Sequence, residues 1–297
     1  MSDRFTVACV QTNTGPEIEP NLAVVAPLIR DARAAGAALI CLPETVAMME
    51  PDPGLRAEKA EPEASHRALA ALRASASETG AWILVGSLTV ETPSGGLANR
   101  SYLIGADGEI VARYDKIHMF DVDLADGESH RESDIYDAGD RTVLAATPWG
   151  TLGLTVCYDV RFPELYRDLA KAGARFLTVP SAFTHHTGSA HWHVLLRARA
   201  IETGCFVFAP AQCGRHAGGR RTFGHSLVVS PWGEVLADGG TEPGLSFAEI
   251  DPALVDAARR QVPSLRHDRP YQRPGPTVVA ATTVTAATKD SAEEASA

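Results

Sequence analysis

The order of strand and helix patterns in this chain occurs twice, and this repetition limits the possible folds more than any other sequence feature. In the first half, apolar and helical periodicities predict strand, helix, strand, helix, strand and a final hairpin. The predicted elements are a strand at 5–11, a helix through Leu22 to Ala32, a strand at 38–42, a helix through Leu69 to Ala76, an apolar run at 82–85 and hairpin strands at 101–104 and 110–114. The second half repeats this order with strands at 152–156, 176–179 and 206–209 and helices at 163–171 and 190–203.

Two short segments of the first half also resemble segments of the second half. Gly36–Pro43 aligns with Gly173–Pro180, and Ser101–Ile104 aligns with Ser226–Val229. Each hairpin segment is followed at the same distance by a Gly-Glu pair that begins the next strand. Two matches in the same order favour an internal duplication of a β-α-β-α-β-β unit.

Two similar α/β halves can bury one face of each sheet against the other and cover the outer faces with helices. We therefore predict an α/β fold of four layers, an αββα sandwich with pseudo-twofold symmetry, formed as one domain over residues 1–273. Residues 274–297 are rich in Pro, Ala and Thr and end in a polar run, a composition that cannot supply a core. This segment is predicted to be a C-terminal tail.

Charge and cysteine usage exclude several classes of function. The chain carries 27 Lys and Arg against 37 Asp and Glu, a formal charge of -10, and no basic run, so we expect no nucleic-acid partner. We expect neither export nor membrane insertion, because the N-terminus resembles no signal peptide and no apolar stretch reaches the roughly 18 residues of a spanning helix. Five cysteines without a C-x-x-C pair are typical of a reducing cytoplasm, where a thiol is free to react.

Four reactive side chains follow predicted strands. Glu44 and Cys157 come directly after strands, Lys116 follows the hairpin, and Glu132 lies in the polar loop beyond it. Taken singly, each could be a packed thiol or a solvated charge. Because loops at strand ends present reactive groups in layered α/β proteins, the combination of a thiol, an ammonium and two carboxylates predicts a catalytic site.

The turn after Cys157 strengthens that prediction. A helix is expected to begin at Pro163, so the short segment 158–162 leaves backbone N–H groups near the thiol without helical partners. Such groups could hold a negatively charged oxygen.

Three segments in the right order resemble the catalytic motifs of the nitrilase superfamily, the carbon-nitrogen hydrolases. They are Leu42–Glu44, Tyr114–His118 and Val156–Glu164. The resemblance covers about Val7 to Pro270, and the αββα fold it implies agrees with the fold predicted from the repeat. Within the superfamily, segments 180–183, 191–202, 211–216, 224–226 and 231–233 are most similar to the branch that contains deaminated glutathione amidase. This resemblance implies a small acid as substrate, whose terminal amide is hydrolysed to carboxylate and ammonia through a thioester.

The resemblance and the chemistry of the side chains together suggest a role for each residue. Cys157 would attack the amide carbon, and Glu44 would be the base, with a pKa raised toward neutrality by burial. Lys116 and the backbone N–H of Tyr158 would hold the oxyanion. Glu132 would orient Lys116 and the incoming amide, although it could also be an ordinary loop carboxylate.

Further residues are expected near the substrate. His191 and Trp192 match superfamily positions close to the pocket, and Arg161 could meet a substrate carboxylate or brace its turn through Glu164. His185, His186, His191 and His193 are close in sequence, but no cysteine or carboxylate nearby completes a zinc set, so we predict no metal site and no cofactor. The resemblance also suggests a homo-oligomer, a dimer or a tetramer.

Three alternatives remain open at this point. The same fold could act on a nitrile or on an N-carbamoyl amino acid. A cysteine hydrolase could instead use His185, His186 or His191 as its base. A non-catalytic metal-binding or scaffold protein is the third possibility.

Overall fold

A computed structural model describes residues 4–124, 127 and 129–271. In it, the first half of the chain forms one sheet with helices on its outer face. Its elements are β1 (Phe5–Gln11), α1 (Ile18–Ala34), β2 (Ala37–Cys41), α2 (Pro53–Lys59), β3 (Glu61–Pro62), α3 (Arg67–Thr79), β4 (Trp82–Glu91), β5 (Leu97–Ile104) and β6 (Ile110–Asp115). Two short strands follow, β7 (Asp121–Asp123) and β8 (Ser129–Arg131), which pair only with each other.

The second half forms the other sheet. Its elements are β9 (Val143–Thr147), β10 (Gly150–Leu154), α4 (Pro163–Lys171), β11 (Phe176–Thr178), α5 (His185–Thr203), β12 (Phe206–Ala209), β13 (Cys213–Arg215), β14 (Arg221–Phe223), β15 (Leu227–Val229), β16 (Val235–Asp238), β17 (Gly244–Ile250) and α6 (Ala253–Gln261). The last strand, β17, returns to the first sheet and pairs with β1.

The two sheets have the same topology, as the duplication predicts. The first sheet runs β17-β1-β2-β4-β5-β6 and the second β9-β10-β11-β12-β15-β16. In each sheet an antiparallel strand comes first, three parallel strands follow, and an antiparallel hairpin completes the order. The hairpin glycines at equivalent positions, Gly108 and Gly233, have φ of 81° and 82°, in the left-handed region that glycine adopts without strain.

The alternation of buried side chains along β1 separates two cores. Phe5, Val7 and Cys9 face the second sheet, whereas Ala8 and Val10 face α1 and α3. Between the sheets, the ring of Phe5 stacks on Trp149 at 4.3 Å and meets Phe176 edge-on at 5.6 Å. Helices α4 and α5 cover the second sheet, so the predicted four-layer αββα sandwich is confirmed.

Strand β4 and helix α5 both extend beyond their predicted bounds. Strand β4 continues to Glu91 rather than ending at 85, and helix α5 begins at His185 rather than at 190. Thr184 caps it, since its hydroxyl accepts a hydrogen bond from the Thr187 backbone N–H at 3.4 Å. Only one face of the helix is buried, and in the first turn that face carries Thr187 and Gly188, so the turn lacks the apolar stripe that usually marks the buried face of a helix.

One compact unit extends to Arg266, and a second unit begins at His267. The predicted tail at 274–297 lies outside the described residues, and the domain boundary at 273 therefore remains a prediction. Within the described ranges, no helix combines the length and the apolar character needed to cross a bilayer.

Candidate active site

Glu44 lies just beyond the carboxyl end of β2, and its side chain is almost completely buried. Its Oε1 accepts hydrogen bonds from Lys116 Nζ at 3.0 Å and from Asn99 Nδ2 at 2.9 Å. Its Oε2 accepts one from the backbone N–H of Ala182 at 2.7 Å, which is in the loop after β11 of the other sheet. Glu44 therefore joins the two halves of the fold at the same end of their parallel strands.

Lys116 follows β6 and bridges two carboxylates. Its Nζ lies 2.9 Å and 2.8 Å from the two oxygens of Glu132 as well as 3.0 Å from Glu44. Glu132 begins a short 3-10 turn after β8, and its Oε2 also accepts from the backbone N–H of Phe120 at 2.7 Å. The Asn99 amide donates to both carboxylates, with its Nδ2 at 3.1 Å from Glu132.

Cys157 opens a tight 3-10 turn, Cys157–Arg161, directly after β10. Its φ of 50° lies in the left-handed region, which is strained for a residue with a side chain. The backbone N–H of Cys157 donates to Pro180 O at 2.9 Å, and Arg199 Nε donates to Val160 O at 2.8 Å. These bonds fix the strained turn from both sides.

The Asp159 carboxylate connects this turn to the loop that carries Lys116. Asp159 is fully buried, and its Oδ2 accepts from Tyr114 Oη at 2.7 Å and from the Val156 backbone N–H at 2.8 Å. Its Oδ1 lies 2.7 Å from His118 Nδ1 and 3.1 Å from the His118 backbone N. The nucleophile turn and the Lys116 loop are thereby held in one hydrogen-bond network.

The side chains predicted to be catalytic line a cavity of about 420 Å³. Glu44, Lys116, Glu132, Cys157 and Tyr158 all face it, so the structure brings together five of the residues that the sequence singled out. Apolar side chains and three arginines also contribute to the lining, among them Met48, Met49, Phe120, Ile135, Tyr136, Phe183, Arg56, Arg131 and Arg220.

Charge determines the protonation states in the cavity. Burial by itself would raise the pKa of Glu44, but the charge of Lys116 and hydrogen bonds from Lys116 and Cys157 outweigh it and hold the pKa below its usual value. The expected rise toward neutrality is therefore wrong. The pKa of Lys116 lies well above its usual value, because two carboxylates outweigh its burial.

The pKa of the Cys157 thiol is raised, whereas that of Glu44 is lowered. Burial is the main cause that raises its pKa far above the usual value, and the negative charge of Glu44 adds to it, whereas Lys116 opposes it. Cys157 is thus a neutral thiol whose pKa is raised by the ionised carboxylate of Glu44. A base must remove its proton when it attacks.

Three predicted substrate contacts lie outside the cavity lining. Trp192 is fully buried, packs against Phe183 at 4.9 Å and donates its Nε1–H to His225 O at 2.7 Å, so it is a core residue behind the cavity wall. His191 is exposed on α5, and Arg161 Nη1 lies 3.3 Å from its Nδ1.

Arg161 also stands behind the wall rather than in it. Its guanidinium lies 5.8 Å from the ring of Tyr158 and 5.2 Å from that of Phe183, two residues that do line the cavity. Among the described residues its hydrogen-bond partner is His191, not Glu164 as one interpretation of the sequence suggested.

Sequence reasoning missed many residues of the cavity, and the polar ones Asn99, Arg56 and Arg220 bear most on its chemistry. Asn99 is a buried polar residue inside β5. Arg56 donates to Glu50 O, and Arg220 Nη2 donates to Ala182 O at 2.6 Å; within the described chain neither forms a salt bridge with a carboxylate. The Nε of Arg220 is buried and has no hydrogen-bond partner among these residues.

The histidine-base alternative lacks the geometry it needs. His185, His186 and His191 are all absent from the cavity lining, and the ionisable groups with the largest effect on the pKa of Cys157 are Glu44, Lys116 and Glu132. In the described part of the chain, the one cluster with the donor atoms for a metal ion consists of His193, His225 and Asp238, none of which lines the cavity.

Comparison with known proteins agrees with this geometry. The sequence profile of the carbon-nitrogen hydrolase family matches residues 6–260. A deaminated glutathione amidase from Synechocystis sp. (strain PCC 6803 / GT-S) is 43% identical over 272 residues, which cover 89% of this chain and 97% of that protein.

Two solved structures are also similar. The NitFhit protein of C. elegans superposes with a TM-score of 0.85 at 36% identity over 90% of this chain and 66% of that chain, so this chain spans about two thirds of it. A variant of an amidase from Nesterenkonia sp. AN1, with acrylamide added at its active-site cysteine, superposes with a TM-score of 0.73 at 26% identity, covering 87% and 98% of the two chains.

Proposed function

The chain belongs to the carbon-nitrogen hydrolase family, and on that premise we propose that it is an amidase in which Cys157 is the nucleophile, Glu44 the base and Lys116 part of the oxyanion site. The observation that carries the proposal is the convergence of these three side chains on one cavity. They are 7%, 4% and 2% exposed, respectively, so their charges interact with little screening by water.

The first step is attack on the amide carbon. The thiol proton of Cys157 passes to the ionised Glu44 carboxylate as the sulfur bonds to the carbonyl carbon. Glu44 then gives that proton to the departing nitrogen, the C–N bond breaks, and a thioester remains on Cys157. The leaving group is ammonia from a primary amide and an amine from a substituted one.

The oxygen that becomes negative during this step needs hydrogen-bond donors. Lys116 provides a fixed positive charge, and the Tyr158 backbone N–H, which lines the same cavity, donates to no described residue. Loss of one such donor typically costs about 2.7–4 kcal/mol of transition-state stabilisation. Glu132 and Asn99 fix Lys116 and Glu44 from the other side, which makes them positioning residues in this proposal.

The second step hydrolyses the thioester. Glu44 takes a proton from water, the hydroxide equivalent attacks the thioester carbon, and the carboxylic acid product leaves as Cys157 regains its proton. No step of this sequence requires a metal ion or a coenzyme.

The arginines of the cavity favour an amide that also carries a carboxylate. Arg220 and Arg56 line the cavity and form no salt bridge with any carboxylate of the described residues. A guanidinium binds a carboxylate through paired hydrogen bonds. In this proposal the two arginines bind the substrate carboxylate, a role that we expected of Arg161 from the sequence. We propose deaminated glutathione or a related ω-amide as the substrate, in agreement with the name of the Synechocystis relative.

The test is turnover of a substrate panel by the wild-type protein and two variants. The panel contains deaminated glutathione, primary ω-amides of keto and amino acids, a nitrile and an N-carbamoyl amino acid, with release of ammonia or amine as the readout. We expect amides to be the preferred substrates, and Cys157→Ala and Glu44→Gln to lose at least about 1,000-fold in kcat.

His191→Ala is the matched control, because His191 lies outside the cavity and should keep nearly full activity. Preferred turnover of the nitrile or the carbamoyl compound would transfer the assignment to another branch of the family. Full amidase activity in either Cys157→Ala or Glu44→Gln would overturn the proposed roles.

We propose a homo-oligomer, a dimer or tetramer, supported by the exposed apolar side chains Val194, Ile201 and Trp232 on α5 and the β15–β16 hairpin. Light scattering on the purified protein measures the assembly directly. A cytoplasmic location is supported by the five cysteines, none of which forms a disulfide.

A further inference from the structure

Two histidines and one aspartate from separate elements meet on the outer side of the second half. His193 lies in α5, His225 precedes β15, and Asp238 ends β16. His193 Nε2 is 3.1 Å from Asp238 Oδ2, and His225 Nδ1 is 2.8 Å from Asp238 Oδ1. All three side chains offer a ligand atom, and these atoms lie within 4.8 Å of one another.

The three side chains are held in place by their surroundings. Phe223 stacks on the ring of His225 at 4.5 Å and meets the ring of His193 edge-on at 6.1 Å. The backbone of His225 is in the left-handed region, with φ of 54°, and its carbonyl accepts from the indole of Trp192. Asp238 Oδ1 accepts from the Gly240 backbone N–H at 2.9 Å.

We propose that His193, His225 and Asp238 form a binding site for a divalent transition-metal ion, with zinc as the best match. Two imidazoles and a carboxylate are typical zinc ligands, and an open fourth position can hold water. Ligands at about 2.0–2.1 Å in a tetrahedron are about 3.3 Å apart. The spacings of 2.8 Å and 3.1 Å run to the two different oxygens of Asp238, and the three ligand atoms lie within 4.8 Å of one another, so the side chains must move closer together around one ion.

Solvent access to the three side chains and the negative charge of Asp238 both favour a bound metal ion. The three side chains are between 23% and 36% exposed, so an ion from solution can reach them. Each imidazole must give up the proton that it now shares with Asp238, and the ion then neutralises the carboxylate in their place.

The site would link α5 to the β15–β16 hairpin and has no part in the proposed amide chemistry, because none of its ligands lines the Cys157 cavity. A bound ion would stabilise the folded chain by mass action, since the unfolded chain brings no such set together. The sequence did not predict this site because its carboxylate lies 45 residues from His193.

The experiment measures zinc binding in a Cys157→Ala background, which removes the thiol as a competing ligand. Metal-free protein is titrated with Zn²⁺ by calorimetry, and thermal unfolding is recorded with and without the ion. We expect one equivalent to bind and to raise the Tm. Asp238→Asn and His193→Gln keep side-chain hydrogen bonding, yet each should weaken zinc binding by at least about 100-fold and remove the Tm shift.

His191→Gln is the control for incidental binding by a surface histidine, since His191 is exposed on the same helix but lies outside the cluster. It should bind zinc as the parent does. The absence of saturable zinc binding in the parent would overturn the proposal, as would binding that survives both Asp238→Asn and His193→Gln. Amidase activity is not the readout, so either result leaves the proposed function unaffected.

Discussion

At the scale of single residues, the resting state of the cavity is a neutral thiol beside an ionised carboxylate. The Cys157 thiol stays protonated because burial and the charge of Glu44 raise its pKa, and the charge of Glu44 is balanced by Lys116. This arrangement differs from a preformed thiolate–cation pair, because the negative charge stays on oxygen until the substrate arrives. The sulfur becomes a strong nucleophile only as its proton moves, so the loss of Glu44 should affect reactivity and acidity in opposite directions.

Replacing Glu44 by Gln should therefore lower the pKa of the Cys157 thiol while it abolishes turnover. The Glu44 charge and its hydrogen bond both raise that pKa, whereas Lys116 lowers it and would remain. The thiolate fraction at a given pH should rise, and ultraviolet absorbance of the thiolate, titrated against pH, measures it.

Subtracting the titration of a Glu44→Gln/Cys157→Ala protein removes the contribution of the other four cysteines. An unchanged or raised thiol pKa in Glu44→Gln would contradict the proposed resting state. A lowered pKa together with undiminished turnover would show that the proton passes to some other base.

At the scale of elements, the geometry depends on loops that meet at the carboxyl ends of strands in both sheets. Asp159 connects the Cys157 turn to the Lys116 loop, because it accepts hydrogen bonds from Tyr114, His118 and Val156. Since it is fully buried, its oxygens have no water to replace a lost donor.

The variant Asp159→Asn should lower the free energy of unfolding by about 2–5 kcal/mol, because an amide nitrogen would face two donors that a carboxylate oxygen now satisfies. Activity should fall as well, by up to about 100-fold, since both the Cys157 turn and the Lys116 loop lose a common anchor. Urea unfolding and kcat/KM measure the two effects.

The matched variant is Glu164→Gln, an exposed carboxylate three residues beyond the same turn. It should change stability by no more than about 0.5 kcal/mol. Equal stability of the Asp159→Asn and Glu164→Gln proteins would show that the buried network contributes little to the fold.

The sequence predicted the elements well where local periodicity and the repeat agreed. The helix ending before Gly80 and the hairpin around Gly108 are both present, as is the strand that leads to Cys157. It failed at the start of α5, where Gly188 and neighbouring histidines weaken the helical pattern that tertiary packing then imposes.

The site was predictable for residues that end strands and not for residues that reach it through tertiary contact. Glu44, Lys116 and Cys157 follow strands, a position that the chain order reveals. Asn99 lies inside a strand and Arg220 in a loop among other arginines, so no local pattern separates them from ordinary polar residues. The charge balance around Glu44 likewise needed distances, because burial and Lys116 act on its pKa in opposite directions.

At the scale of the whole molecule, the buried ionisable groups make the stability of the fold depend on pH. Burial disfavours the charged form of an imidazole, and it therefore lowers the pKa of His66 and of His216 from the usual 6.5. The pKa of Glu44 also lies below its usual 4.5, here through Lys116. All three groups bind protons more readily in the unfolded chain than in the folded one.

The sign of the dependence follows from linkage: where the unfolded state binds more protons, the free energy of unfolding falls as the pH falls. We expect near-constant stability between about pH 7 and 8, a decline that begins near pH 6.5 through the two histidines, and a steeper decline below about pH 4.5 through the carboxylates. Two histidines limit the slope of the first decline to about 2.7 kcal/mol per pH unit.

Equilibrium urea unfolding at several pH values from 8 to 5 measures this first decline. The double variant His66→Gln/His216→Gln should flatten it, because its side chains keep hydrogen bonding but no longer titrate. His191→Gln should leave the decline unchanged, since His191 is exposed on the surface of α5. A wild-type protein whose stability stays constant or rises from pH 7 to 5 would show that these imidazoles accept protons in the folded state as readily as in the unfolded chain.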